Sequence, residues 1–422
     1  MTLALDSDSN DGGDVMTSKD VVIVGGGIGG SCLARALARA GLEVLVLERE
    51  AEFFDRVRGE WIAPWGVREL IELEMYDTLM QAGGHHLTRH IGYDELVEPS
   101  VAEANEFPLA VLGVPGPLTI EHVVMQNAAI ESAMQAGATV LRAVDKVEVV
   151  AGKSPRVAYR HDGQSCEQDC RLIVGADGRT STVRRQVGLK LEEDPIDHLI
   201  AGLLVGDVHD WPEDLQAIGK VGDVQYLIFP QGNNKVRLYV DYDISDRNRF
   251  AGESGAANFL AAFDMDCVPN SKAIARATPI GPCRSNPSQD AWIDNPWVEG
   301  AVLIGDAAGY NDPIIGQGVS VTARDARTVA GLLTQTSNWT PALFEPYGAE
   351  RKERMRRLRM AAKFVTTISA RFGPEAEARR RRARQRIAEN PELASLQLAP
   401  FIGPESIDAS FFEQEFQDRL FA

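Results

Sequence analysis

Long apolar runs are missing from this 422-residue chain. No window approaches the roughly 18 uninterrupted apolar residues of a membrane span, so no stable membrane association is expected. Basic charge is also in deficit. Lys and Arg number 43 against 61 Asp and Glu, a net charge of −18, which repels nucleic acid and anionic membranes unless a local basic patch overrides it. Cysteine is sparse: Cys32, Cys166, Cys170, Cys267 and Cys283 are scattered. An odd number with no secreted-type framework points to reduced thiols in the cytoplasm. No second Cys or His pair lies near Cys166 and Cys170, so no metal site is expected. The first residues lack the basic start and apolar core of a signal peptide, and 1–19 reads as a disordered tail.

What remains is ordinary globular material, 44% hydrophobic and 25% charged, long enough for two or three domains. Val21 to Val24 form a short continuous apolar run, as expected of a strand buried on both faces of a parallel sheet. Gly25-Gly26-Gly27-Ile28-Gly29-Gly30 follows, then a helical pattern ending at Gly41, then the apolar run ending at Glu48. Strand, glycine turn, helix and strand make one βαβ unit. Gly25 permits the tight turn, Gly27 lets the backbone approach a pyrophosphate, and Gly30 allows close packing of helix on strand. The helix start presents unpaired N–H groups to phosphates. Glu48 can accept both hydroxyls of a ribose and disfavours a 2′-phosphate there. The motif alone does not separate FAD from NAD.

Helices are predicted over 62–80 and 119–136. From about 189 to 290 the pattern alternates, which predicts an antiparallel sheet with one solvated face. The stretch AVLIGDAAG then returns to a buried strand meeting a glycine turn. The expected fold class is therefore α/β: a Rossmann-type domain built from 20–90, 119–188 and 291–345, interrupted by a mainly antiparallel β-sheet substrate domain of 91–118 and 189–290. A helical region of 346–422 closes the chain. Its arginine runs lack interleaved aromatics, so a solvated helix face or pairing with the acidic remainder is favoured over nucleic-acid binding.

Two later segments sharpen the cofactor. RLIVGADGRTSTVRR carries Asp177-Gly178, and AVLIGDAAGYNDPIIGQG carries Gly305-Asp306. With the first glycine motif and in this order, they make the chain resemble the single-component flavoprotein aromatic hydroxylases of the para-hydroxybenzoate hydroxylase type, over roughly residues 20–350. The resemblance implies FAD as cofactor and NAD(P)H as a transient co-substrate with no Rossmann domain of its own. It implies hydroxylation of a small aromatic or polyketide-like molecule with O2, through a flavin C4a-hydroperoxide. Gly25, Gly27, Ile28, Gly29 and Gly30 would then form the pyrophosphate turn. Glu48, followed by Arg49, would hold the adenosine ribose, with Val144 near the adenine. Arg58 corresponds to the family arginine near the FAD phosphates, and His122 stands where relatives carry Arg or Gln at the start of a cofactor-touching helix. Asp177 and Gly178 lie in the motif serving both FAD and the pyridine nucleotide, and Asp306 would bind the ribityl or pyrophosphate part. Pro313, Gly316 and Gly318 would form the loop beside the isoalloxazine ring, where backbone N–H groups at a helix start can stabilise negative charge. Gly309 departs from the family, many members having His or Arg directly after the GDAA tetrapeptide.

A phenolic ring reacts better as its phenolate, so a base near the substrate is expected. His85, His86, His90 and Tyr226 are the candidates. Arg237 is the candidate for holding an anionic substrate, with a cross-strand ion pair as the alternative. The protein is expected to be a monomer or homodimer. Other readings are a flavin-dependent halogenase, an isoprenoid-type reductase and a non-enzymatic flavoprotein. Tryptophan-type halogenases carry Trp-x-Trp-x-Ile-Pro and a catalytic lysine, whereas Trp61-Ile-Ala-Pro-Trp65 has a different spacing and order.

Overall fold

The computed structural model describes residues 18–421. Residues 1–17 of the expected tail lie outside them, and Lys19 already begins the first strand. β1 (Lys19–Val24), α1 (Ile28–Arg39) and β2 (Val44–Leu47) form the βαβ unit. Further on, α2 (His122–Gln135) leads into β3 (Thr139–Leu141), and β4 (Gln164–Gly175) follows. The sheet runs β3-β2-β1-β4 and continues with Ala301–Leu303, every one of these neighbours parallel. Val21, Val22 and Ile23 are fully buried, as a central parallel strand requires when helices cover both faces.

Parallel pairing also explains why distant motifs meet. Val24 pairs with Gly175, and Gly175 pairs with Leu303. All three strands therefore end level with one another, and the turns that follow them, Gly25, Ala176-Asp177 and Gly305-Asp306, open along one edge. Ligands of open α/β sheets bind at such carboxyl ends.

The second sheet is built from β5 (His198–Gly206), β6 (Leu215–Val221), β7 (Val224–Gly232) and β8 (Lys235–Asp243), in the order β5-β8-β7-β6. These pairs are antiparallel, and Arg89–Ile91 adds a parallel strand at β6. The expected solvated face is not there: β5 and β7 are buried at every position. One face carries Tyr226, Ile228, Val240 and Tyr242 against Phe250, Phe259 and Phe263. The other carries Leu227, Phe229 and Tyr239 in a cluster with Trp61, Leu358 and Ala362. Short helices at Gly255–Ala261 and Ser271–Ala275 cover the first face, and the C-terminal region covers the second.

The helix predicted over 62–80 is two helices, Pro64–Glu72 and Tyr76–Gln81, separated where Glu74 adopts φ +56°. The chain ends in α3 (Gly318–Gln335), α4 (Glu345–Ser369), α5 (Pro374–Glu389) and shorter segments. Several of their arginines are paired with acidic groups elsewhere in the chain. Arg351 and Arg354 bind the fully buried Asp325, and Arg380 and Arg384 reach Glu95 and Asp94. Among the described residues no helix is long and apolar enough to cross a membrane.

Candidate active site

A cavity of about 670 Å³ begins at the level strand ends and runs under the second sheet. At its first end the three glycines of the opening motif differ in what surrounds them. A Cβ at Gly25, whose φ is +106°, would meet the Ala176 carbonyl oxygen at 2.4 Å, and one at Gly30 would meet the Gly25 oxygen at 1.9 Å. Both positions are closed by backbone, as a tight turn and a close helix–strand contact demand. At Gly27 the nearest atom is Gln126 Nε2 at 3.9 Å. That position lines the cavity, and among the described residues no atom comes closer.

The polar groups here fit a dinucleotide. Gly27 caps α1 without a side-chain hydrogen bond, so first-turn N–H groups remain available to phosphates. Glu48 is buried; its Oε2 accepts from Gly26 N and its Oε1 from Glu50 N, each at 2.7 Å. An ionised carboxylate has about four acceptor sites, which leaves two for a ribose diol. Gln126 lines the same groove with a buried, unpartnered Oε1. This donor and acceptor set matches the phosphates, ribose and amide edges of FAD.

Of the cofactor residues named from sequence, Gly25, Gly27, Ile28, Gly29, Glu48, Arg49, Arg58, His122 and Val144 line the cavity, and so do Asp177, Gly178, Asp306, Pro313, Gly316 and Gly318. Gly30 lies behind the wall as a packing position. Asp177 also shapes the backbone, because its carboxylate accepts from Ser181 Oγ, Thr182 N and Val183 N and so caps the helix Thr182–Gln186. Asp306 Oδ2 faces Arg179 Nε at 3.4 Å. Burial lowers the Arg58 pKa against the pull of Asp306. His122 bonds the Gly59 oxygen at 3.2 Å, and burial pushes its pKa down to about 4, so the ring is neutral.

Midway, the loop Pro313–Ile315 and Gly316 lead to α3, whose first residues Gly318 and Val319 line the cavity and whose start has no side-chain cap. Two helix N-termini thus open on one space. Behind the loop Arg351 braces the glycine turn, donating to the carbonyls of Gly305, Ala308 and Gly309, while Asp325 accepts from Gly305 N.

Beyond the loop the walls turn apolar and aromatic. Trp61 stacks on Phe229 with centroids 5.9 Å apart and meets Phe401 edge-on at 5.7 Å, and Tyr239 packs on Phe229. The α4 residues Val365 and Ile368 complete this chamber. Glu60 lines it beside Tyr239, whose hydroxyl donates to Glu60 Oε2 at 3.0 Å. Burial raises the Glu60 pKa, and opposition from Arg237 leaves it at about 7.

The substrate-side candidates need correction. Tyr226 lies on the other face of β7 from Leu227 and Phe229, because side chains alternate along a strand. It is fully buried in the second core and donates to the Tyr93 carbonyl. His85 bonds the Glu213 oxygen, and His86 bonds Tyr76 and the Gly116 carbonyl, both outside the cavity lining. His90 does line the chamber, and burial lowers its pKa to about 4. Arg237 forms an ion pair, though not the expected cross-strand one: its guanidinium pairs with Glu60 and Asp55 from the irregular segment before Trp61, while its strand neighbours are Leu204 and Phe229. It is not free for an anionic substrate. Glu60 and Tyr239, 179 residues apart, were not among the sequence candidates.

Residues 18–362 match the FAD binding domain family. The chain belongs to that family. This agrees with the resemblance to the flavoprotein hydroxylases, and FAD is the cofactor the groove is built for. Digeranylgeranylglycerophospholipid reductase 2 of Methanococcoides burtonii is 27% identical over 323 residues, 74% of this chain and 73% of that protein. Squalene monooxygenase SE1 of Panax ginseng is 26% identical over 76% of this chain, which spans 59% of that protein's length. Among solved structures, PqsL, a probable FAD-dependent monooxygenase from Pseudomonas aeruginosa, superposes with a TM-score of 0.70 at 21% identity, covering 84% of this chain and 97% of that one. The flavin-dependent brominase Bmp2 gives 0.72 at 18% identity, covering 96% and 98%. These two likenesses establish a shared fold.

Proposed function

We propose that this protein is an FAD-dependent monooxygenase that uses NAD(P)H and O2 to hydroxylate an aromatic or polyketide-like small molecule. The observation that carries the reading is the single cavity in which a dinucleotide groove and an aromatic chamber meet at the Pro313–Gly318 loop. When bound, FAD supplies the hydride uptake and the oxygen transfer.

The chain's own residues bind, orient and handle protons. Gly27, Glu48 and the start of α1 would hold the adenosine and pyrophosphate of FAD. The start of α3, which has no side-chain cap, would supply N–H groups that stabilise negative charge on the flavin. Trp61, Phe229 and Phe401 clasp an apolar ring and exclude water. A phenol lodged against Tyr239 can pass its proton to the Tyr239 oxygen while the Tyr239 proton moves to Glu60 Oε2. Glu60, with its pKa at about 7, is suited to take it near neutrality.

The reductase reading draws on the apolar chamber and on the relative named as a digeranylgeranylglycerophospholipid reductase. The halogenase reading would need a lysine in the chamber. The cavity-lining lysine is Lys146, two residues after Val144, whose N–H binds the Glu48 carbonyl at the adenosine end. Purified protein should carry FAD, and a phenolic substrate should accelerate NAD(P)H oxidation with one atom of labelled O2 entering the product. Saturation of a double bond without O2 uptake would replace this reading with the reductase. FAD that neither nucleotide reduces would defeat the single-component mechanism.

A further inference from the structure

Of the histidines considered as a base for the substrate, His90 is the one in the cavity lining. Its neighbours decide what kind of group it is. His90 on the strand Arg89–Ile91 pairs with Gln216 on β6, and directly paired residues share a face. Ile218, two residues along β6 from Gln216, also lines the cavity, so alternation puts all three on the cavity face.

A chain of three side chains fixes the proton on the imidazole. Trp61 Nε1 donates to Gln216 Oε1 at 2.9 Å. An indole can only donate, so the Gln216 amide, 0% exposed, keeps its oxygen towards Trp61 and its NH2 turned away. That NH2 lies 3.3 Å from His90 Nδ1. Nδ1 must therefore accept, and a neutral imidazole whose Nδ1 accepts carries its proton on Nε2. Burial lowers the His90 pKa to about 4, which keeps the ring neutral near pH 7. Among the described residues the ring's hydrogen bond is the one to Gln216. Beside Nε2 stands Gly92, where a Cβ would come within 3.9 Å of that nitrogen. The edge that carries the proton is thus left open by a residue with no side chain.

Resting on the reading of the chamber as the substrate site, we propose that His90 is a specificity-determining residue that donates Nε2–H to a neutral acceptor on the substrate, a ketone or quinone carbonyl, and that Trp61 and Gln216 are positioning residues that hold the ring in this donating tautomer. The group called for is the opposite of the phenol at Tyr239 and Glu60, which gives up a proton. The same geometry removes His90 as a base, because the nitrogen with the lone pair faces an amide N–H. A carboxylate gains most from a cationic partner, and a neutral ring is none. The substrate is accordingly a hydroxyaryl carbonyl compound rather than a simple phenol.

Two measurements on the FAD-loaded protein, both without NAD(P)H, test this. In the first, isotopically labelled histidine reports the tautomer through two-bond proton–nitrogen correlations, the His90 signals being those absent from His90→Gln. The Nε2–H form is expected, and Gln216→Leu should release the ring to a mixture of both forms. A His90 ring protonated on Nδ1, or charged at pH 7, would overturn the proposal. In the second, calorimetry compares 2-acetylnaphthalene with 2-ethylnaphthalene, which differ by a carbonyl in place of a methylene. The ratio of ketone to hydrocarbon affinity should fall about fivefold in His90→Leu, the worth of one hydrogen bond, and His90→Gln, which keeps an N–H donor, should recover most of it. A ratio that His90→Leu leaves unchanged, as a water on Nε2 would give, or a ketone that does not bind, would equally overturn it. The tautomer is read in the unmodified protein, so the proposal stays testable if His90→Leu does not fold. Neither measurement involves turnover, so a failed oxygenase assay and a failed donor are separate results.

Discussion

At the scale of single residues, the opening glycines separate binding from folding. Gly27 has an ordinary φ of −67° and open space beside it, so Gly27→Val should fold. Its side chain would occupy the approach to the pyrophosphate, weakening FAD retention by at least about tenfold, or 1.4 kcal/mol. The flavin absorbance per protein after gel filtration, alongside an unchanged circular dichroism spectrum, checks this; full flavin content would displace the phosphates from that turn. Glu60 sets a second expectation. If it accepts the substrate proton, turnover should rise with pH through about 7. Glu60→Gln should cut kcat by roughly 10²–10⁴ and erase that rise, and a variant that keeps the rise would acquit Glu60. The glycines and Glu48 were legible because their chemistry is local, a strand, a turn and a helix start within thirty residues. Glu60 and Tyr239 were not, since their bond joins distant segments. Strand register puts Tyr226 and Tyr239 on opposite sheet faces, and alternation along a single strand reveals neither that relation nor which face the cavity occupies.

At the scale of elements, α4 is the part whose role composition hid. Its arginines read as a solvated helix face or as partners of the acidic remainder, and Arg351 and Arg354 follow the second reading, turning inward to a wholly buried Asp325. Arg351 also satisfies three carbonyls of the glycine turn at 305–309, so a helix outside the most diagnostic motifs holds one of them in shape. Removing one partner of a buried pair strands the other's charge, at a cost of about 3–5 kcal/mol. Arg351→Met should therefore lower the unfolding free energy from urea titration by that scale and loosen FAD together with it. Loss of stability with undiminished FAD affinity would make the brace irrelevant to the cofactor turn. The second sheet teaches a related point. Its strand and antiparallel character were plain from alternation, but the covering of both faces was not. Short helices of weak pattern, such as Gly255–Ala261, and the C-terminal segments supply that cover, and neither announces its docking partner in sequence.

At the scale of the whole molecule, four buried groups share one sign of shift, upward, opposite to that of His90 and His122. Burial raises Asp290 to about 7 and Asp241 to about 8, with Asp312 adding to both; Glu60 stands at about 7 for the reasons above. For His198 burial works downwards, but hydrogen bonds to Asp197 and Asp312 outweigh it and raise the ring to about 10. Each group binds its proton more tightly folded than unfolded. Their contribution is complete below the unfolded values, 3.8 for the aspartates, 4.5 for Glu60 and 6.5 for His198. It drains away as pH climbs through the folded ones. Buried Asp325, lowered by Arg351 and Arg354 against its burial, acts oppositely and matters only in acid. Between pH 6 and 10 the raised groups govern, so the urea-extrapolated stability should fall across that interval, with the thiols of Cys32, Cys170 and Cys283, which burial also raises, joining His198 above pH 9. Replacing His198 by Gln should flatten the slope above pH 7 while lowering stability at pH 6. A stability that holds level or rises from pH 6 to 10 would mean that the cluster joining β5 to the Asp312 turn does not carry a buried cation, and that the loop beside the flavin ring is held by its backbone bonds alone.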